Sequence, residues 1–171
     1  MEFYDAIKTR RSIRSFKDEA IPEDVLIRVL ESARIAPSGH NRQLWKFYVV
    51  ENEEKKQKVA EGCGGQTWIA KAPKVIVAVG WKFPYNRGGY MGEMSFMMDV
   101  SIAFTHLILA ARAEGLGTCW IGDYSNDKVK AALGLPDDEY VVAVTPIGYP
   151  DKGVFSENSK RKSLEEIIER V

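Results

Sequence analysis

The segment MSFMMDVSIAFTHLILAARAE, residues 94–114, decides the fold of this chain. Its residues are apolar nearly all round a helix, so the pattern predicts the longest helix of the chain and its central buried element. Gly115 follows at once and ends the helix in the usual C-terminal way. Asp99, His106 and Arg112 interrupt the apolar tract, and these polar residues argue against a membrane span.

Helix and strand patterns alternate irregularly on both sides of this segment. Lys74–Val79 is the clearest strand because it is rich in β-branched residues. Pro146 bends another strand or places it at a sheet edge. A strict βαβ series is absent, so the order predicts an α+β fold rather than a doubly wound sheet. Further strands are predicted at 47–50, 118–121 and 140–149, and a mobile loop at 82–93. Further helices are predicted at 2–9, 53–61, 125–133 and 163–170, and another that starts at Pro22 and stops at Pro37.

Composition limits the class of protein. The chain has 171 residues, of which 45% are hydrophobic, and this suits a single domain over residues 1–171 with its own core. The 24 Lys and Arg residues balance 24 Asp and Glu residues, so no global charge steers the protein to nucleic acid or to an anionic membrane. Cys63 and Cys119 lack disulfide or zinc spacing, and the acidic start is unlike a signal peptide. We therefore expect a cytoplasmic protein.

Two basic clusters lie near the ends of the chain. Arginine presents a planar fork that suits phosphate, and serine adds a hydroxyl donor. Charges of one sign repel one another at such spacing unless an anion lies among them, so the two clusters could bind one phosphate together. Alternatively, each is a solvated surface run. The first cluster consists of Lys8, Arg10, Arg11, Ser12 and Arg14, and the second of Lys160, Arg161 and Lys162.

The segment Ala36–Gln43 carries neutral polar groups. Its small residues let a flat ligand approach the backbone, and Ser38, Asn41 and Gln43 donate and accept hydrogen bonds without charge. That mixture suits a polar heterocycle better than a metal. The alternative is an ordinary connection between a helix and a strand.

Gly122 comes directly after a predicted short strand. A glycine in that position can expose its N–H to a ligand, or it can simply turn the chain into Asp123. His106 is more typical of a satisfied core residue than of a base. Gly62–Thr67 resembles a phosphate loop only superficially, because the Lys-Ser/Thr ending is missing. A GxSxG elbow and a GxGxxG motif after a strand are both absent from the sequence.

Three motifs together resemble the FMN-dependent nitroreductase family, over residues 3–168. They are Arg10-Arg11-Ser12-Ile13-Arg14, Ala-Pro-Ser-Gly-x-Asn-x-Gln-x-Trp at 36–45, and Gly-Leu-Gly-Thr-Cys-Trp-Ile-Gly at 115–122. The chain departs from the family pattern at Leu44, where many members have Pro. It also departs at 82–93, where longer relatives carry extra helices, so a more open pocket is expected.

The resemblance implies a central mixed or antiparallel sheet flanked by helices, and an intertwined homodimer with two FMN sites at its interface. One group of residues would hold the FMN phosphate, a second would reach the cofactor from the other subunit, and a third would face the isoalloxazine ring, with the Gly122 N–H near N5. In that order, the groups are Arg10, Arg11, Ser12 and Arg14 with Arg161 or a neighbouring Lys; Pro37, Ser38, Gly39, Asn41 and Gln43; and Ile121 and Gly122.

The implied activity is electron transfer from NADH or NADPH to a small-molecule acceptor such as a nitroaromatic or a quinone. The cofactor carries this chemistry, so no catalytic acid or base is named. Two other readings stay open within the fold, a flavin-fragmenting or dehalogenating relative and a binding protein that holds FMN without turnover. A nucleic-acid-binding role for residues 8–14 is disfavoured by the neutral overall charge.

Overall fold

A computed structural model describes residues 1–83, 91–152, 155–157 and 160–171, apart from the side chains of Met91 and Glu93. The helices and strands alternate along the chain without a repeating unit. The helices are α1 (Phe3–Thr9), α2 (Glu23–Arg34), α3 (Glu53–Gly62), α4 (Met91–Ala113) and α5 (Asn126–Leu133), and the strands are β1 (Ser15–Phe16), β2 (Trp45–Val50), β3 (Lys74–Gly80), β4 (Gly117–Thr118), β5 (Tyr140–Gly148) and β6 (Pro150–Lys152).

Four strands form an antiparallel sheet in the order β2-β3-β5-β4. Its register pairs Phe47 with Ala78 and Val77 with Val144. The short strands β1 and β6 form a separate antiparallel pair. The predicted α+β class is confirmed, and the antiparallel form of the predicted sheet is the one observed.

Helices cover both faces of the sheet. On one face, α2 and α4 bury residues such as Val29, Phe104 and Leu107 against Ile76 of β3. On the other face, α3 and α5 bury Val59 and Val129 with Val77 and Val144. Alternate residues of β3 therefore enter opposite cores, as the period of a strand requires, and this explains why the whole strand reads as apolar.

The long helix α4 is enclosed on one side only. Its Met94, Met98 and Ile102 are 41%, 45% and 40% exposed. Within one chain, the expectation that α4 is the central buried element is therefore not confirmed for this side of the helix. Its segment Met94–Ala113 is long and apolar enough to cross a membrane by length and composition, but its Phe104 side packs into the core beside the sheet, as in the core helix of a globular protein.

Capping residues place two helix starts where the sequence predicts them. The side chain of Asn52 accepts a hydrogen bond from the N–H of Lys55 at the start of α3. Ser125 accepts from the N–H of Lys128 at the start of α5. These bonds satisfy backbone donors that a helix N-terminus leaves open. Gly134, at φ 67°, ends α5 in the left-handed conformation that glycine adopts freely.

The sequence predicts a bend or a sheet edge at Pro146. As a whole β5 is an inner strand, between β3 and β4, but β4 ends at Thr118, opposite Ile147, so Pro146 itself pairs only with Val75 of β3. Proline has no N–H to give to the ladder. Beside it, Cys119 donates its N–H to Thr145 Oγ1 at 3.0 Å. The strand predicted at 118–121 is therefore interrupted, and its pairing resumes only at the bridge between Ile121 and Val144.

The helix predicted at 163–170 is absent from the described C-terminal residues, where the chain makes one turn over 164–167. The Glu166 carboxylate accepts the N–H of Ser163 at 2.8 Å, which is one half of the predicted capping box. Every residue from 160 to 171 is exposed. A helix this short is marginal without packing, so the turn does not extend.

The predicted loop at 82–93 is shorter than expected, because α4 already begins at Met91. Residues 84–90 of that loop lie outside the described residues. The C-terminal end of α2 also differs from the prediction, because the helix stops at Arg34, before the predicted stop at Pro37.

Candidate functional site

The first basic cluster lies along β4. The N–H of Ile13 donates to the carbonyl of Thr118 at 2.9 Å, and Ser12 forms a bridge with the same residue. A Cβ at Gly117 would lie 2.7 Å from the Cβ of Ile13, a separation that is too short for two carbon atoms. Gly117 is therefore required for this close approach, whereas in the sequence a glycine so soon after the long helix indicates only helix termination.

The second basic cluster approaches the first. The Arg112 guanidinium lies 3.9 Å from the ring of Phe155 and donates to Thr9 Oγ1 at 3.0 Å. These contacts bring the chain after β6 back to the end of α1. Arg161 then lies near enough to Arg10 to act on its charge. The structure thus brings Arg161 of the second cluster near Arg10 of the first.

Burial and like charges make this cluster electrostatically unfavourable on its own. Burial lowers the pKa of the half-buried Arg10, and the positive charges of Arg11 and Arg161 lower it further. Among the described residues, no carboxylate forms a salt bridge with any of these three arginines. Elsewhere on the surface Arg28, for example, forms ion pairs with both Asp24 and Glu114. An uncompensated arginine cluster of this kind indicates an anion site.

Arg11 gives the most specific indication of an anion site. Its Nη1 donates to the carbonyl of Arg10 at 2.6 Å. Its Nε and Nη2 atoms are buried and have no hydrogen-bond partner in the part of the chain that the structure describes. Buried donors without acceptors are rare and each one requires an explanation. Two such nitrogens on one guanidinium match the two oxygens of a bidentate phosphate contact.

Ile121 and Gly122 follow β4, the strand along which the first basic cluster lies, and Ile121 continues the pairing with β5 at Val144. Ile121 is buried, and its N–H donates to the carbonyl of Val144 at 2.8 Å. Gly122 is exposed, and a Cβ added to it would meet no described atom within 4 Å. Packing within the chain therefore does not require glycine at this position, which leaves open surface on which a flat group can lie.

Arg14 occupies a different position from the three clustered arginines. It is exposed, and its guanidinium lies 5.9 Å from the centroid of the Trp68 ring. A Cβ at Gly64, in the same loop as Trp68, would lie 3.4 Å from a carboxylate oxygen of Asp123. The loop at 62–68 thus borders the site. In the sequence this loop resembles an imperfect phosphate loop, and its adjacent glycines are the signal for its tight turn.

The polar segment at 38–43 is a strained loop. His40, Asn41 and Gln43 have φ values of 53°, 54° and 54°, in a region that residues with a side chain rarely adopt. The Ser38 hydroxyl accepts the N–H of Gln43 at 3.0 Å. The Asp99 carboxylate on α4 accepts the N–H of Gly39 at 3.1 Å. The preceding Pro37 is exposed.

The structure does not bring this loop to the arginine cluster within one chain. The loop is attached to α4 at Asp99, whereas the arginine cluster is attached near Arg112 of the same helix. At 1.5 Å per residue the two attachment points are about 20 Å apart along the helix axis. The predicted site residues therefore form two separate groups in one chain.

Other candidate groups are unsuited to catalysis. Burial raises the pKa of the Cys63 thiol to about 11, with a further contribution from Asp123, so the thiol is protonated at neutral pH. His106 is half-buried and lines an apolar groove between α1 and α4 together with Phe3. Among the described residues, no group of side chains is arranged to hold a metal ion.

The model of the nitroreductase family matches residues 7–149. A candidate NADH dehydrogenase/NAD(P)H nitroreductase of Archaeoglobus fulgidus is 32% identical, over 91% of this chain and 90% of that protein. Iodotyrosine deiodinase 1 of Rattus norvegicus is 28% identical, over 98% of this chain and 68% of that protein. The solved structure of a candidate nitroreductase from Exiguobacterium sibiricum in complex with FMN is 25% identical, with a TM-score of 0.88 over 100% of this chain and 98% of that one.

Proposed function

Because the chain belongs to the nitroreductase family, whose members are oxidoreductases, we propose that it is an FMN-dependent oxidoreductase. In this proposal it takes electrons from NADH or NADPH and passes them to nitroaromatics, quinones or similar conjugated acceptors. The names of relatives that include NADH dehydrogenase and NAD(P)H nitroreductase support the donor. The FMN complex of a structural relative supports the cofactor.

One observation carries the proposal. The buried Nε and Nη2 atoms of Arg11 lack acceptors among the described residues, and they lie in a cluster that is short of negative charge. A phosphate group would accept from both nitrogens and would offset the repulsion between Arg10, Arg11 and Arg161. Ser12 and Lys160 or Lys162 would add further donors.

The ring end of the cofactor would lie over Gly122, where the surface is open. FMN supplies the redox chemistry, and the protein supplies binding, orientation and electrostatics. Arginine side chains and backbone N–H groups would favour the added negative charge of the reduced cofactor. This assignment uses no side-chain acid or base.

The proposal includes a homodimer with a site at each end of the interface. The loop at 38–43 and the arginine cluster lie far apart on α4, so a second copy would have to bring the loop to the phosphate. Exposed apolar side chains on α1 and α4 would supply the surface for such an interface, since large apolar patches mark interaction sites. They are Phe3, Tyr4 and Ile7 of α1, Ile35, and Met94, Met98 and Ile102 of α4, and Phe3 and Ile35 line one groove with α4. The two free, buried cysteines agree with a reducing compartment such as the cytoplasm.

The test is anaerobic reduction of the purified protein. We expect a yellow protein that bleaches when NADH or NADPH is added and recovers its colour with a nitroaromatic or a quinone. A colourless protein that takes up no added FMN would contradict the cofactor assignment. Bound flavin that dithionite reduces but neither nicotinamide donor does would identify an FMN-binding protein without this activity.

Reductive dehalogenation is the second candidate, because the deiodinase relative aligns with 98% of this chain. In that reaction an aryl carbon–halogen bond is replaced by a carbon–hydrogen bond. The step consumes two electrons and one proton and releases halide, with the electrons coming from the reduced cofactor. Halide release from an iodophenol under anaerobic conditions, at a rate comparable with nitroaromatic reduction, would favour this candidate.

A further inference from the structure

We propose that Asp99 is a positioning residue that holds the loop at 38–43 in the conformation that binds the cofactor. The proposal rests on the proposed function, because it assigns the loop a ligand.

Asp99 bonds to the loop from outside it. The residue is half-buried on α4, and its Oδ1 accepts the N–H of Gly39 at 3.1 Å. Among the described residues, the loop also has internal hydrogen bonds, such as those of Gln43 to Ser38 and to Asn41, and the carbonyl of Gln43 accepts the N–H of Trp45 at the start of β2. Internal bonds set the shape of a loop but not its place on the fold. The bond to Asp99 sets the place, together with the contact between Arg42 and Phe83 at 3.9 Å.

The loop needs such an attachment because of its backbone. His40, Asn41 and Gln43 are all left-handed, and in that region the Cβ of an L-residue crowds the following carbonyl oxygen. Asn tolerates this conformation better than Gln. Strained residues of this kind persist only where their surroundings hold them, and they cluster at ligand-binding sites. Without the bond to Asp99, the loop would therefore relax to other conformations.

The effect on FMN affinity follows from how much of the loop is in the binding conformation. If the binding conformation is only partly populated, the apparent affinity falls by that fraction. The FMN-binding groups of the arginine cluster lie about 20 Å away along α4, so they would be unchanged. Loss of Asp99 should therefore weaken FMN binding while leaving the chemistry of the bound cofactor intact.

The experiment compares Asp99→Ala with Asp99→Asn in the full-length protein. Asparagine retains an oxygen that can accept the Gly39 N–H, whereas alanine does not. Asp138→Ala, which removes an exposed carboxylate from the turn before β5, is the matched control. Hydrogen–deuterium exchange is measured on the apoprotein at residues 38–43, FMN affinity by quenching of flavin fluorescence, and kcat at saturating FMN with NADH and NADPH.

We expect Asp99→Ala to speed exchange at 38–43 and to raise the Kd for FMN, each about tenfold, with exchange at β3 and kcat unchanged. Asp99→Asn and Asp138→Ala should stay within about twofold of the wild type in all three measurements. Wild-type exchange and affinity in Asp99→Ala would overturn the proposal. Equal loss in Asp99→Asn and Asp99→Ala would also overturn it, because the role of hydrogen-bond acceptor would then be wrong.

Two further results have a defined meaning: no FMN binding by the wild type, and failure of Asp99→Ala to fold. If the wild type binds no FMN, the proposed function fails, and exchange at residues 38–43 still tests the attachment to Asp99. If Asp99→Ala does not fold, the decision passes to Asp99→Asn and Asp99→Ser. Serine is too short to reach the Gly39 N–H, so it should reproduce the alanine phenotype, and wild-type exchange in Asp99→Ser would overturn the proposal.

Discussion

Replacing Arg11 with methionine should weaken FMN binding and stabilise the apoprotein at the same time. The two effects have one cause, the buried Nε and Nη2 atoms without acceptors among the described residues. In the apoprotein these donors are an unfavourable feature, and with a phosphate bound they become charged hydrogen bonds. Methionine keeps the apolar stem of the side chain and removes the donors.

The loss of binding can be estimated from one charged hydrogen bond. Such a bond contributes about 1.5–3 kcal/mol, and each 1.4 kcal/mol is about tenfold in affinity. Loss of one of the two phosphate contacts of Arg11 should therefore raise the Kd for FMN by about 10- to 150-fold, and loss of both should raise it further. Riboflavin lacks the phosphate, so its Kd should change by less than about threefold.

The gain in stability has a similar origin. An unsatisfied buried polar group costs about 1–3 kcal/mol, and the substitution also removes the repulsion between Arg11 and Arg10. Part of this gain is lost because Arg11 Nη1 no longer bonds to the carbonyl of Arg10. A net gain of about 1 kcal/mol would raise the Tm by about 2–4 °C in a domain of this size.

Calorimetric titration with FMN and riboflavin, and thermal unfolding of the apoprotein, measure the two effects. Arg34→Met is the control, because Arg34 is exposed and pairs with Glu31 on the same helix. Equal losses of FMN and riboflavin affinity would refute the reasoning. An Arg11→Met apoprotein that is less stable than the wild type, and that binds FMN unchanged, would show that Arg11 is a structural residue.

Three further predictions follow from single positions. Gly122→Val should keep the Tm within about 1 °C of the wild type, since a Cβ there meets no described atom within 4 Å. It should abolish FMN uptake measured by absorbance, and retained uptake would place the isoalloxazine ring elsewhere. Ile102→Asp, on the exposed face of α4, should convert a dimer to a monomer in light scattering, and an unchanged mass would exclude that face. Burial raises the pKa of Cys63 from 9.0 to about 11, so the folded state holds the thiol proton more tightly than the unfolded state does. Stability should therefore fall as the pH rises from about 9 to about 11, and Cys63→Ala should make the fall of Tm with pH less steep. The same slope of Tm against pH in Cys63→Ala and in the wild type would contradict the assignment.

Local signals predict much of the fold. The caps at Asn52 and Ser125 and the apolar run of β3 depend on nearest neighbours and on side-chain period, so they can be read without the structure. The C-terminal turn shows the limit of this reasoning. Its capping box forms in part, but a helix there would need packing that the exposed residues 160–171 do not have.

Pro146 shows a second limit. A proline in a strand predicts an edge because it removes one ladder bond. The fold tolerates it in an inner strand because the neighbouring N–H of Cys119 finds the side chain of Thr145. That substitution of a side-chain acceptor for a backbone bond depends on residues that are 26 positions apart, so no local pattern contains it.

By itself the sequence determined the types of the longer elements, the neutral charge that disfavours nucleic acid, and the residue types suited to a phosphate and a flat ring. The tertiary structure alone decided which of them meet. It joined Arg10 and Arg11 to Arg161, left Arg14 over Trp68, and tied the loop at 38–43 to Asp99. The physical reason is that propensity and capping act over a few residues, whereas proximity between distant side chains depends on how the whole core packs.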